Sequence, residues 1–402
     1  MFMKKLFAFL LAAIMLFALC ACSNSNAPAA SQSPASKTEK VAMITDYGDI
    51  TDQSFNQTTY EACQSYCTKA GLGFSYFKPA DDSTADRVAM IEKAVDEGYT
   101  IIVMPGFAFA EATIQSAPLY PNIKFVVLDV AKGDYLEKGV AAKGETYDYN
   151  PDNWELSKYA DLGNVYTMVY QEELCGYMAG YATVMMGYTD LGFCGGMAVP
   201  AVMRYGYGFL QGANAAAEKQ GVKVSVKYAY ANQFFGDADI TAAMDTWYKA
   251  GIEVVFACGG GVYTSVTDAA VRAGGKLVGV DVDQAAIINA LGNGDMTVTS
   301  AMKGLASSTM DALKQIVEDN NWDNMKGKIV NLGLVSGTDP EANFVGIPMQ
   351  STKWCDTFTQ DDYKAMVKAM FDGTIKVSND VTVEASSFAS ANLSVEDLGN
   401  LK

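Results

Sequence analysis

The feature that most constrains the fold of this chain is a regular alternation of short apolar runs with amphipathic helical patterns, beginning at Val41. The runs are rich in Val, Ile and Phe and lack polar alternation, which is typical of parallel strands covered by helices on both faces. Repeated strand–helix–strand units predict open, doubly wound sheets. The predicted strands lie at 41–45, 100–104, 124–130, 165–170, 190–194, 223–230, 253–257, 276–280 and 297–301.

The length of the chain predicts two such sheets. A chain of 402 residues, half of them hydrophobic, carries more core than one open sheet usually buries, so we expect two α/β lobes.

Two stretches have no lasting hydrophobic period. Residues 132–161 are polar and rich in Gly, Tyr and Asn, and predict an insertion or a long loop. Residues 336–353 contain Gly-Thr-Asp-Pro at 337–340, a turn or crossover signal. The predicted helices lie at about 54–70, 84–97, 172–186, 202–219 and 265–273.

The first 40 residues predict a leader and a tether. Two lysines precede an apolar run over 6–19, which is shorter than the roughly 20 residues of a spanning helix and fits a signal peptide. The run ends in Leu-Cys-Ala-Cys, which resembles the lipobox of bacterial lipoproteins and implies that Cys22 is acylated at the end of a 1–22 signal segment. Residues 23–40 are rich in Ser, Asn, Ala and Pro and suit a flexible tether. An ordinary cleaved signal peptide or a buried apolar segment is the alternative.

Charge and residue inventory exclude several classes of function. A net charge of −17 disfavours nucleic acid, whose phosphates require clustered Lys and Arg. The sequence contains no histidine, which removes Ser-His-Asp triads, Cys-His pairs and most zinc sites. Cys63 and Cys67 share a helical face and are predicted to be core residues. The scattered cysteines show no Cys-x-x-Cys spacing, so we expect no metal and no cofactor, while a disulfide stays open.

The candidate site residues follow the strands, because ligands of open parallel sheets bind beyond the carboxyl ends of the strands. After the first strand, Asp52 or Ser54 can cap the next helix. Phe55 and Asn56 then lie in its first turn, at the cleft. A ring beside a carboxamide suits a flat heterocycle, since the ring stacks on its face and the amide reads its edge. A plain capped helix with Phe55 in the core is the alternative.

Other strands also end in candidate ligand groups. Asp129 and Asp281 stand where carboxylates can accept hydrogen bonds from sugar hydroxyls or exocyclic amines, although helix caps look the same. Gly259 and Gly260 belong to a glycine run that lets a ligand approach the backbone. No Gly-Lys-Ser/Thr follows, so this run is not a Walker phosphate loop. Lys303 is well placed to reach a ligand hydroxyl, with a solvated lysine as the alternative. Few basic residues lie near any strand end, which disfavours a phosphorylated ligand.

The motifs, in their order along the chain, resemble those of the basic membrane protein (BMP) family. The likeness covers roughly residues 41–375. That family comprises bacterial lipoproteins of the type I periplasmic-binding-protein fold, with two doubly wound parallel-sheet lobes joined by a hinge, which feed nucleosides to ABC transporters. The matching segments are 52–57, 106–107, 125–129, 195–197, 204–205, 208–209, 256–260, 279–284 and 299–303.

The resemblance implies roles for the candidate residues. Phe55 would stack on one face of a purine, while Asn56 and Asp129 hydrogen-bond the edge of the base. The ribose would be held by Asp281, by Lys303 and by the backbone around residue 259.

The second stacking ring is where the sequence departs from the family. Residues 232–237 read Asn-Gln-Phe-Phe-Gly-Asp, whereas the family pattern is Ser-Phe-Asn-Asp. We expect Phe234 to be the second ring, with Phe235 as the alternative. The departure leaves the base preference open.

The resemblance also implies three crossovers between the lobes. The N-terminal lobe would comprise 41–170 and a return segment of about 297–331. The C-terminal lobe would comprise 171–296 and about 332–402. Closure about the hinge is the expected motion.

We therefore expect a protein anchored by lipid to the extracytoplasmic face of the cell membrane. It would capture purine nucleosides and deliver them to the permease of an ABC transporter, without enzymatic activity. A sugar-binding protein or a signalling receptor of the same fold is the first alternative. A nucleoside hydrolase is another, in which Asp281 and Asp283, with Asp46, Asp49 or Asp52, hold calcium that activates water.

Overall fold

The computed structural model describes residues 39–46 and 48–401. The predicted signal peptide, Cys22 and the predicted tether as far as residue 38 lie outside the described residues. Within the described part of the chain, no helix is long and apolar enough to cross a membrane.

Six parallel strands form the first sheet. They are β1 (Lys40–Ile44), β2 (Gly73–Phe77), β3 (Ile101–Pro105), β4 (Lys124–Leu128), β5 (Val165–Tyr170) and β11 (Lys328–Leu332). Their order across the sheet is β11-β5-β4-β3-β1-β2. The helices of this lobe are α1 (Phe55–Ala70), α2 (Thr84–Asp96), α3 (Phe109–Ser116), α4 (Lys132–Ala142), α10 (Leu305–Val317) and α11 (Trp322–Met325).

Seven strands form the second sheet. They are β6 (Asp190–Gly195), β7 (Val224–Tyr230), β8 (Val254–Cys258), β9 (Lys276–Asp281), β10 (Thr297–Lys303), β12 (Val345–Gly346) and β13 (Leu393–Asn400). Their order is β12-β10-β9-β8-β6-β7-β13, and β12 pairs antiparallel to β10 while the others are parallel. The helices of this lobe are α5 (Glu172–Met185), α6 (Pro200–Gln220), α7 (Ala238–Lys249), α8 (Tyr263–Ala273), α9 (Ala285–Leu291) and α12 (Gln360–Phe371).

The central strands are buried because helices cover both faces of each sheet. Every residue of β3 and of β8 is buried, as apolar runs without polar alternation predict. On the second sheet, α5 and α6 touch through their main chains. A Cβ atom at Gly208 would lie 2.1 Å from the carbonyl oxygen of Glu173, so glycine is needed for this approach. The contact seats the N-terminal end of α5 against α6.

The chain passes between the sheets at three places: from β5 to α5, from β10 to α10, and from β11 to β12. We expected the return segment to the first lobe to begin near residue 297. Instead Thr297–Lys303 is β10 of the second sheet, since its pairing with β9 on one side and β12 on the other satisfies its backbone. The chain returns to the first lobe only at α10, which packs on α1.

The stretch 132–161, predicted to be an insertion or a long loop, begins instead with the helix α4. The carboxylate of Asp134 accepts a hydrogen bond from the Ala131 N–H at 2.6 Å and so closes the first turn. Leu136 and Val140 are buried on one side of α4, where they form a small cluster with Tyr147. Two of the 11 residues of α4 are glycine, so the helical spacing of its apolar residues is not evident from the sequence.

The cysteines of the described residues, at 63, 67, 175, 194, 258 and 355, are all free thiols. Cys63 and Cys67 are buried on α1, as their helical spacing predicts.

Candidate functional site

A cavity lies between the carboxyl ends of the two sheets. Its empty space is about 630 Å³, including the part that opens to solvent, within the range of small-molecule sites. Phe234, the predicted second ring, lines this cavity, whereas the alternative, Phe235, is 60% exposed. The residues predicted from the sequence that line the cavity are Asp52, Phe55, Asn56, Asp129, Phe234, Gly259, Gly260, Asp281 and Lys303.

The start of α1 is held by the carboxylate of Asp52. Its Oδ1 accepts hydrogen bonds from the main-chain N–H of Ser54 at 2.9 Å and of Gln57 at 3.0 Å, and its Oδ2 accepts from the N–H of Asn56 at 3.0 Å. These bonds satisfy donors that a helix leaves free in its first turn. Burial raises the pKa of Asp52 to about 6, although the same N–H groups oppose the rise. Asp52 therefore positions Phe55 and Asn56 from within the cavity wall.

The side-chain amide of Asn56 has one fixed orientation. Its Nδ2 donates to Asp46 Oδ1 at 3.1 Å and to Asp52 Oδ2 at 3.3 Å, and the flipped amide would turn an oxygen toward two carboxylates. Gly48 covers this group closely, since a Cβ atom there would lie 2.1 Å from Nδ2. Asp46 also lines the cavity. Sequence reasoning considered Asp46 only as a calcium ligand, although its place just after β1 was a usable signal.

Phe234 reaches the cavity from the loop that follows β7 and packs on a bed of glycines. A Cβ atom at Gly196 would lie 2.5 Å from the Phe234 ring, and one at Gly260 would lie 2.7 Å from the Phe234 carbonyl oxygen. Gly260 also has a φ of +49°, a backbone conformation that favours glycine. The glycine run after β8 thus seats the ring of Phe234 as well as lining the cavity.

The side chain of Lys303 is buried at the centre of a group of carboxylates. Its Nζ forms a direct ion pair with Asp129 and lies 3.3 Å from Glu172 Oε1 and 3.8 Å from Asp281 Oδ1. The same Nζ lies 4.7 Å from the centroid of the Phe55 ring, within reach of a cation–π contact. The ammonium therefore joins both lobes and one aromatic wall of the cavity.

Burial and charge act against each other in this group. Burial disfavours the charged form of Lys303, but the charges of Asp129, Glu172 and Asp281 outweigh it and raise the pKa of Lys303 above its usual range. Burial also raises the pKa of Asp129 to about 7, although the ammonium of Lys303 opposes the rise. Lys303 thus remains a cation at neutral pH.

Glu172 contacts the cavity residue Lys303 and was not predicted from the sequence. It is the first residue of α5 and fully buried, and its Oε2 accepts a hydrogen bond from Arg204 Nε at 2.7 Å. An acidic residue at a helix N-terminus is ordinary in sequence, because it complements the helix dipole. Only the close packing of α5 on α6 shows that it links Arg204 to Lys303.

Asp281 receives two hydrogen bonds from different lobes. Ser54 Oγ, in the first lobe, donates to Asp281 Oδ2 at 2.6 Å, and Tyr205 Oη, on α6, donates to Oδ1 at 3.2 Å. Ser54 was predicted as a possible helix cap, but its hydroxyl serves Asp281 instead. Tyr205 itself lines the cavity.

Asp129 and Asp281 share a backbone feature. Their φ angles are +61° and +66°, in the left-handed region that costs non-glycine residues free energy and concentrates at functional sites. Each of them stands at the carboxyl end of a parallel strand, β4 or β9.

The chemistry of the cavity suits an uncharged polar ligand with a flat ring. Phe55 and Phe234 offer aromatic faces, and the carboxylates of Asp129 and Asp281 accept hydrogen bonds. Lys303 is already paired with carboxylates, so a phosphate would meet repulsion from them. Over residues 39–46 and 48–401, no three His, Cys, Asp or Glu side chains are grouped so that they could hold a metal ion.

Comparisons with known proteins agree with this architecture. The family model for PnrA-like ABC transporter substrate-binding proteins (Bmp) matches residues 39–349. The ABC transporter nucleoside-binding protein BmpA of Lactococcus lactis subsp. cremoris is 29% identical over 262 residues, which are 61% of this chain and 64% of that protein. The chain thus spans less than two thirds of that relative's length. An uncharacterized lipoprotein of Pyrococcus abyssi is 25% identical over 309 residues, 74% of this chain and 67% of that one.

The fold is shared with solved structures of solute-binding proteins. One from an ABC transporter system of Aeropyrum pernix K1 has a TM-score of 0.60 and 19% identity over 87% of this chain and 90% of that chain. The two doubly wound parallel-sheet lobes are those of the type I periplasmic-binding-protein fold, as predicted. The family match covers most of the chain, and its members are substrate-binding proteins. This chain therefore belongs to the PnrA-like (Bmp) family of ABC transporter substrate-binding proteins.

Proposed function

We propose that this protein captures purine nucleosides in the cavity between its lobes and delivers them to the permease of an ABC transporter. The observation that carries the proposal is the composition of the cavity wall. Phe55 from the first lobe and Phe234 from the second line the same cavity as Asp129, Asp281 and Lys303. Two aromatic side chains suit the faces of a heterocyclic base, and the polar cluster suits a sugar.

Unsatisfied acceptors support a ligand that carries N–H or O–H donors. Asn56 Oδ1 and Asp129 Oδ1 are buried and have no hydrogen-bond partner among the described residues. A buried acceptor without a partner costs about 1–3 kcal/mol. The Nδ2 of Asn56 is engaged by Asp46 and Asp52, so its oxygen is the atom available to a base. The N–H groups of a purine edge would satisfy both acceptors.

The ribose would lie at the polar end of the cavity. The carboxylate of Asp281 and the ammonium of Lys303 are 3.8 Å apart, so hydroxyl groups of one sugar can donate to the first and accept from the second. The main chain at Gly259 is within the same wall. Closure of the lobes over the ligand would complete the site.

The proposed location is the extracytoplasmic face of the cell membrane, with Cys22 as the lipid-modified residue. The Leu-Cys-Ala-Cys run over 19–22 and the polar segment after it support this part of the proposal. The Pyrococcus abyssi relative is named a lipoprotein. Radiolabelled palmitate incorporation that is lost in Cys22→Ala and kept in Cys20→Ala would test it.

Isothermal titration calorimetry tests which small molecule the protein binds. The protein is unfolded and refolded to remove carried-over ligand, then titrated with adenosine, guanosine, inosine, uridine, ribose and galactose. We expect micromolar or tighter binding of purine nucleosides and none of free ribose. Binding of galactose without any nucleoside would contradict the proposal and identify a sugar-binding protein.

Two substitutions test the assignment of the cavity. Phe55→Ala and Asp281→Ala should each weaken nucleoside binding more than tenfold, about 1.4 kcal/mol. Phe235→Ala is a matched control, because Phe235 neighbours the cavity residue Phe234 yet is exposed, and it should bind as the unmodified protein does. Unchanged affinity in both cavity variants would refute the assignment.

A further inference from the structure

Side-chain contacts beside and within the cavity join the two lobes. Some use residues of the cavity wall: Lys303 pairs with Asp129, and Ser54 donates to Asp281. Another lies beside the wall. Gln284 Nε2, in the second lobe, donates to the main-chain oxygen of Gln53, in the first lobe, at 3.1 Å.

The amide of Gln284 is oriented by its own lobe. Its side-chain Oε1 accepts a hydrogen bond from the Val280 N–H at 2.9 Å, and its main-chain N–H donates to Ser300 Oγ at 3.2 Å. Because Oε1 is bound to Val280, Nε2 must point toward the other lobe. Gln284 is only 1% exposed, and Gly279 leaves room for it, since a Cβ atom there would lie 2.9 Å from the Gln284 Cβ.

The acceptor, the main-chain oxygen of Gln53, is also held in place by hydrogen bonds of its own lobe. Gln53 has a φ of +53°, and its N–H and Nε2 both donate to Gln57 Oε1, at 3.0 and 2.8 Å. These bonds fix the turn that directs the Gln53 carbonyl toward Gln284. Phe55 and Asn56 follow within three residues, so the contact anchors the loop that carries both of them into the cavity.

We propose that Gln284 is a positioning residue that latches the lobes in their closed arrangement and thereby sets how tightly the site holds its ligand. The proposal rests on the proposed function of ligand capture by lobe closure. Separation of the lobes removes the Gln53 oxygen as the acceptor of Nε2, so closure regains that bond. The apparent affinity scales with the population of the closed state, and one net hydrogen bond changes the ratio of closed to open protein about fivefold.

Gln284→Glu is the informative substitution. It keeps an oxygen for the Val280 N–H and replaces the donor with an oxygen that repels the Gln53 carbonyl. Gln220→Glu is the matched control, because Gln220 Nε2 also donates to a main-chain oxygen, that of Met185 at 3.2 Å, but within one lobe. Urea unfolding of both variants checks folding, and Gln284→Met replaces Gln284→Glu if the latter does not fold.

Two readouts separate this proposal from the proposed function. Small-angle X-ray scattering of the full chain without ligand should give a larger radius of gyration for Gln284→Glu than for Gln220→Glu. Stopped-flow binding of inosine should give a dissociation rate at least about fivefold faster in Gln284→Glu, with the association rate unchanged. Equal scattering and equal dissociation rates in the two variants overturn the latch. If the unmodified protein binds no nucleoside, the scattering comparison alone decides.

Discussion

Lys303→Met would leave the carboxylates around Lys303 without the cation that they share. Methionine is close to lysine in length, so the substitution removes the charge with little change in packing. Glu172 keeps its bond to Arg204 at 2.7 Å, and Asp281 keeps its two hydroxyl donors. The loss therefore falls mainly on Asp129. Breaking a buried ion pair by removing one partner costs about 3–5 kcal/mol, and we expect a loss near the lower value at pH 8.

The cost of Lys303→Met should shrink as the pH falls. Burial already raises the pKa of Asp129 to about 7, and Lys303 is the main group that opposes the rise. Without the ammonium, the pKa of Asp129 in the folded state climbs further. A carboxyl whose pKa is higher in the folded than in the unfolded state binds its proton on folding, so lowering the pH from 8 to 5 favours the folded variant.

Urea unfolding at pH 8 and pH 5, with linear extrapolation to water, measures both effects. Lys314→Met is the control, because Lys314 pairs with Asp319 at the surface, where an ion pair contributes little, so its free energy of unfolding should stay close to that of the unmodified protein. Adding Asp129→Asn to Lys303→Met should recover part of the stability. A loss below about 1 kcal/mol at pH 8, or an equal loss at both pH values, would refute the electrostatic account of the cavity.

Two further substitutions test neighbouring features. Burial, and then the charge of Glu172, raise the pKa of Glu173 to about 7, so its contribution to stability is lost as the pH rises from about 4.5 through 7. Glu173→Gln should therefore raise the free energy of unfolding by roughly 1–3 kcal/mol at pH 8 and little at pH 4, and thermal denaturation without a gain at pH 8 would speak against it. Gly259→Ala should cost about 1–3 kcal/mol, because its Cβ would lie 2.7 Å from the Gly196 main chain, whereas Gly261→Ala, with its nearest contact at 3.5 Å, should be tolerated. Equal urea midpoints for the two glycine variants would contradict this account.

The sequence by itself predicted the fold class and about half of the residues that line the cavity. Buried runs such as β3 and β8 have a pattern that is typical of parallel strands covered on both faces. The carboxyl ends of parallel strands lie at one edge of a sheet, so Asp129 and Asp281 could be assigned to the cavity without coordinates. Local patterns were enough because hydrophobic periodicity, and the alternation of strands with helices that it reveals, can be read from short segments.

Tertiary structure decided which residues meet across the chain. Lys303 contacts Asp129, and Glu172 contacts both Lys303 and Arg204, although nothing near any of them in sequence marks the partner. The same holds for β10, whose sheet is set by its neighbours β9 and β12, and for the bond from Gln284 to Gln53. These contacts arise from strand order and from the close packing of α5 on α6. Strand order and helix packing are set by the free energy of the whole core. They therefore cannot be inferred from any single segment of the sequence.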